Sequence, residues 1–155
     1  MPFEQQINTL YQMRFLNNEG DDIDVFTSLL NELAYNGGNN VILDLCSIFE
    51  DDIEESSAAE DMIETIFYIA KRNGLEQGMY VLAQGITRLL PQAKSWAKTL
   101  LKTLLNGEEF ISPFTDALGK VDSNTKQTII NIFIEIKKGF SNYNEKINKI
   151  LDQIS

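Results

Sequence analysis

The chain has 155 residues, with 23 Asp and Glu against 13 Lys and Arg, no His and one Cys, for a formal net charge of -10. That length predicts one domain over residues 1–155 with a sizeable buried core, and a hydrophobic fraction of 43% excludes global disorder. Without His and with only Cys46, an internal disulfide, the usual zinc, haem and iron–sulfur ligand sets, and Ser-His-Asp or Cys-His catalysis are all excluded, so no cofactor is expected.

The apolar spacing is helical from end to end. Phe3, Ile7, Leu10 and Tyr11 form a first stripe. Phe26, Leu29, Leu30 and Leu33 form a second, which stops at Asn36-Gly37-Gly38. Val41, Ile42, Leu45 and Phe49 form a third, with Cys46 read as a small core residue. Ala59, Ile63, Ile66, Phe67 and Ala70 form a fourth, opened by a Ser57-x-x-Glu60 capping box and closed by Asn73-Gly74. Leu75, Met79, Leu82, Ile86 and Leu89 form a fifth. Gly78 and Gly85, seven apart on one side of it, suit close approach of a neighbouring helix. Pro91 is expected in the first turn of a sixth helix that carries Ala93, Trp96, Leu100 and Leu104, with Trp96 substantially buried. Ser112-Pro113 is expected to start a short seventh that ends at Gly119. Asp122 or Ser123 starts an eighth, apolar on most sides and expected to be central. Asn142 and Glu145 cap a ninth, with Ile147, Ile150, Leu151 and Ile154 inward.

No segment alternates with period two, so the expected class is all-α: eight or nine amphipathic helices in antiparallel pairs, as a HEAT-like stacked array or an irregular bundle. Met1-Pro2-Phe3-Glu4 lacks the basic start and apolar run of a signal peptide, and the densest apolar stretch, Ile129–Ile136, is interrupted by Asn131 and Glu135. A cytoplasmic protein with no membrane partner is expected.

Charge is unevenly distributed. Residues 1–70 hold 15 acidic residues and a single basic one, Arg14, for a net -14, while the remainder is +4. Glu50, Asp51, Asp52, Glu54, Glu55, Glu60, Asp61 and Glu64 crowd one loop and the start of one helix. Such a run is either a solvated turn that supports a helix N-terminus or a recognition surface for a basic partner. Direct nucleic-acid binding by this end is disfavoured, because neutralising phosphates needs Lys and Arg.

Helical angles place Asp61, Glu64 and Tyr68 opposite the stripe of Ile63, Ile66 and Phe67, and Tyr35 opposite Phe26 and Leu33. Each tyrosine is either an interface anchor or a contact to an adjacent helix. Arg14 falls on the apolar side of the first helix, where a guanidinium bonded to a neighbouring carboxylate is expected. Lys94, Lys98 and Lys102 form a basic stripe, read as a solvated face or a weak patch for a separate partner. Asp21-Asp22-Ile23-Asp24 starts like a calcium loop, but Phe26 stands where an oxygen ligand is needed and the required Gly is missing. The acidic run is polar and solvated, without the desolvated acid that paired-carboxylate catalysis needs. No enzyme activity is expected.

Leu89-Leu90-Pro91-Gln92-Ala93-Lys94-Ser95-Trp96-Ala97, followed by Leu104-Leu105-Asn106-Gly107-Glu108-Glu109-Phe110, resembles the central segment of the immunity protein 30 family. Leu10-Tyr11, Arg14, Asn17-Asn18-Glu19 and Asp24-Val25-Phe26 are similar to that family's start. So are Leu43-Asp44-Leu45-Cys46, Phe49-Glu50-Asp51, and the late stretch from Thr128-Ile129-Ile130 to Glu135-Ile136. The resemblance implies a cytoplasmic bacterial protein encoded beside a polymorphic toxin, which binds the cognate toxin domain and neutralises it. It acts either by plugging the active site or by holding the toxin shut from beside it. A helical adaptor without a toxin partner is the competing expectation. Glu50, Asp51, Asp52, Glu54, Glu55, Asp61, Glu64, Tyr68 and Tyr35 are the candidate contacts, facing a basic toxin surface.

Overall fold

Helical periodicity is realised throughout the computed structural model, which describes residues 3–154. Met1 and Pro2, part of the start expected to carry no signal peptide, lie outside the described residues. Among the described residues there are nine α-helices and no strand: α1 (Glu4–Gln12), α2 (Ile23–Asn36), α3 (Asn40–Cys46), α4 (Ser56–Asn73), α5 (Leu75–Gly85), α6 (Lys94–Asn106), α7 (Glu108–Leu118), α8 (Ser123–Gly139) and α9 (Asn144–Ile154). Short 3-10 helices at Ile86–Leu89 and Ser141–Tyr143 link α5 to α6 and α8 to α9.

Local signals set most boundaries. Asp22 caps α2 by accepting from the Asp24 N–H at 2.8 Å, and Asp122 caps α8 by accepting from the Thr125 N–H at 2.8 Å. Gly74, at φ +112°, adopts a backbone conformation that disfavours other residues and turns the chain from α4 into α5.

Four expectations about helix starts fail. The Ser57/Glu60 capping box does not form, because α4 begins at Ser56 and Ser57 already lies inside its first turn. Pro91 does not open α6: it follows a cis Leu90–Pro91 peptide in the preceding loop, and the helix starts at Lys94. Pro113 does not open α7, which starts at Glu108. The lost Pro113 N–H removes one bond to a first-turn carbonyl, and Glu108 and Glu109 oppose the positive end of the helix dipole there. The last helix starts at Asn144, with Asn142 in the 3-10 helix before it.

The central element is α5, not α8. It touches α3, α4, α7 and α8, whereas α8 buries only one face, Ile129, Ile132, Phe133 and Ile136. The reason lies in the two glycines. A Cβ at Gly78 would stand 2.6 Å from Ala70 Cβ, and one at Gly85 would stand 2.7 Å from Cys46 Sγ. Hydrogen at these positions lets α4 and α3 close on α5, as their spacing predicts. Cys46 is fully buried in this seam, and burial pushes its thiol pKa up to about 12, as befits a core residue. Trp96 packs against the core and is largely but not fully buried, in line with its expected burial.

Helices two apart in sequence make the most extensive contacts, α2 with α4, α3 with α5 and α5 with α7. The α2–α4 pair brings its C-terminal ends together. There Arg72 Nε donates to the Ala34 carbonyl at 3.0 Å, and its Nη2 donates to the Gly37 carbonyl. Asn73 donates to the Gly37 carbonyl as well, at 3.1 Å. Carbonyls left over at the end of α2 are thus satisfied by the last turn of α4.

Candidate functional site

The acidic loop divides into residues used by the fold and residues left to solvent. Glu50 accepts from Arg14 Nε at 3.1 Å, with both side chains largely buried. Arg14 also donates to the Tyr11 carbonyl and lies 4.0 Å over the Tyr11 ring. Its expected role, a partly buried guanidinium held by a carboxylate, is what the structure shows. Asp51 reaches across to α6 and accepts from the backbone N–H groups of Ser95 (3.2 Å) and Trp96 (3.3 Å). Ala93, at the cap position, has no acceptor of its own, so Asp51 caps the helix from a distance. Backbone bonds from Asp51 to the Gln92 carbonyl and from Glu54 to the Phe15 carbonyl pin the loop on both sides. Asp52, Glu54 and Glu55 are exposed.

Further along α4 the chain builds a groove. The α2–α4 seam opens into a cavity of about 220 Å³ lined by Thr27, Leu30, Asn31, Ala34, Tyr35, Asp61, Glu64, Thr65 and Tyr68. Its floor is made of the buried Leu30, Ala34 and Thr65. The short side chains of Ala34 and Thr65 leave space above the floor unfilled. The Thr65 hydroxyl is satisfied by the Asp61 backbone carbonyl at 2.8 Å. Tyr35 and Tyr68 meet edge to face, with centroids 5.6 Å apart and planes at 77°. They stay 65% and 44% exposed. Four of the residues singled out by sequence, Tyr35, Asp61, Glu64 and Tyr68, therefore share one groove. Glu55 closes the acidic loop about 9 Å along the helix axis before Asp61, at 1.5 Å per residue.

The lysine stripe on α6 is used within the fold. Lys94 and Lys98 pair with Glu135 of α8 at 3.0 and 3.7 Å, and Lys102 lies 3.9 Å over the Phe140 ring. The hydrogen bond from Lys94, aided by the charge of Lys98, holds the Glu135 carboxyl below the ordinary carboxylate range. Lys94 and Lys98 thus contribute a contact between α6 and α8. Sequence reasoning missed Thr27, Asn31 and Thr65 as groove lining and Arg72 as the clamp at its end. Nothing local marks these residues, because each is defined by the helix opposite.

Fold and groove together define a class: an all-α protein of amphipathic helices that presents an open, acidic, tyrosine-bearing groove. No helix among the described residues is long and apolar enough to cross a membrane. Residues 12–114 match the family model of Immunity protein 30, well over half of the chain, and the protein belongs to that family. Both walls of the groove fall inside the matched region. No curated protein and no solved structure matches the chain. Membership of an immunity-protein family implies a toxin partner in general terms.

Proposed function

We propose that this protein neutralises a cognate toxin domain by stoichiometric binding. The α2–α4 groove is the centre of the contact, and the exposed acids of the 52–55 loop form its rim. One observation carries the reading. Asp61 and Glu64 make no side-chain hydrogen bond or ion pair within the described chain, although Glu50, Asp51 and Glu135 are all committed to the fold. Beside them two tyrosines stay exposed on a buried floor. Tyrosine at the centre of a patch and charge at its rim is the usual anatomy of a protein–protein contact. The acids at residues 52–64 would draw in a basic toxin surface and speed its association.

The test is co-expression with the candidate toxin domain found by inspecting the genes beside this one. The proposal expects restored growth and a one-to-one complex on calorimetric titration. It also expects slower association as salt rises, because exposed charges are screened over about 10 Å at 0.1 M. Growth arrest that persists, with no complex formed, would sink the toxin reading and favour a helical adaptor.

A further inference from the structure

We infer that the α2–α4 groove is a receptor for one arginine side chain projecting from the partner. This inference rests on the reading of the groove as the contact surface. Asp61 and Glu64, one turn apart on α4, line it with two carboxylates that have no cation of their own. Arg72, one turn past Tyr68, spends donors on the carbonyls of Ala34 and Gly37 and leaves these acids unneutralised. The two tyrosine rings form a corner at 77° rather than a stack, so a flat group can lie against one ring while the other closes its end.

Guanidinium fits this set better than ammonium. It is planar, stacks on aromatic faces, presents a fork of donors that matches a carboxylate, and is more weakly hydrated than the lysine head group. Its methylene stem would lie on the apolar part of the floor, Leu30 and Ala34. The protein already builds the same combination inside its own fold. There Arg14 lies 4.0 Å over the Tyr11 ring and donates to Glu50 at 3.1 Å. The groove offers tyrosine and carboxylate in the same way, with the arginine missing.

The experiment is a titration of the isotopically labelled full chain at low salt, followed through backbone amide NMR shifts. The probes are N-acetyl-arginine amide, N-acetyl-lysine amide and the neutral isostere N-acetyl-citrulline amide. The arginine probe should give saturable shifts confined to residues lining the groove on α2 and α4. The lysine probe should bind at least about tenfold more weakly, and citrulline should leave the spectrum unchanged. The double substitution Asp61→Asn and Glu64→Gln should abolish the arginine response and leave the other resonances in place, since both side chains lie on the polar side of α4. Any of four results overturns the inference: no arginine response, an equal response to lysine or citrulline, shifts scattered over the acidic loop, or an arginine response that survives the double substitution. No toxin is present in this titration, so its failure leaves the toxin-complex test standing on its own.

Discussion

Replacing Asp51 with alanine removes two acceptors from the N-terminus of α6, at Ser95 and Trp96. These are the second and third residues of the helix, whose N–H groups have no partner inside it. Loss of a capping side chain costs about 1 kcal/mol, and loss of an anion at the positive end of the dipole about 0.3–1 kcal/mol more. The exposed setting and the bond lengths of 3.2 and 3.3 Å place the total at the low end, about 1–1.5 kcal/mol. In a domain of this size that lowers Tm by about 3–5 °C. Asp52 is exposed with no side-chain partner, so Asp52→Ala should change stability by less than about 0.5 kcal/mol. Thermal unfolding followed by circular dichroism separates the two. Toxin affinity per folded molecule should be unchanged in Asp51→Ala, because that carboxylate is already in use. An unchanged Tm in Asp51→Ala, or a larger drop in Asp52→Ala, would refute the assignment of Asp51 as a remote cap.

Other substitutions test the packing. Gly78→Ala sets a Cβ 2.6 Å from Ala70 Cβ, and overpacking less the gain in helix propensity should leave it about 1–2 kcal/mol less stable in urea unfolding. Gly139→Ala meets nothing within 4 Å and should stabilise by up to about 1 kcal/mol in the same assay. Trp96→Ala should cost somewhat less than the roughly 3–5 kcal/mol of a fully buried large aromatic, since the residue packs on the core without being fully buried. Glu135 titrates below its ordinary value of 4.5 in the folded protein. Its contribution is therefore complete above that value and is lost as pH falls through the lowered one. Glu135→Gln should flatten the fall in stability between about pH 5 and pH 3, measured by denaturant titration.

What was legible in the sequence was local. Asp122 caps the residues just after it, and Asn36-Gly37 and Asn73-Gly74 stop helices in place, whereas the Asp22 cap of α2 was not read. Gly78 and Gly85 announced a close helix contact through their spacing, though not which helices would approach. The start of α6 was misread because its cap comes from Asp51, 44 residues away from Ser95. The start of α7 was misread because Pro113, normally a first-turn residue, is accommodated in mid-helix. Angles around a single helix correctly put Tyr35 and Tyr68 on polar faces. That the two rings meet depends on the pairing of α2 with α4, which no periodicity encodes. The same limit applies to the acids. Glu50, Asp51, Asp61 and Glu64 look alike in sequence, and only tertiary partners separate the first two from the last two.

The central claim, that the α2–α4 groove holds the toxin, is tested most directly by titrating Tyr68→Ala with the cognate toxin domain. The edge-to-face contact with Tyr35 is worth about 0.5–1.5 kcal/mol, so Tm should fall by only about 2–4 °C. Binding should weaken by at least about 2 kcal/mol, roughly thirtyfold in Kd. A large loss of Tm with affinity per folded molecule unchanged would contradict the account, showing that Tyr68 serves the seam between helices and that the toxin binds elsewhere.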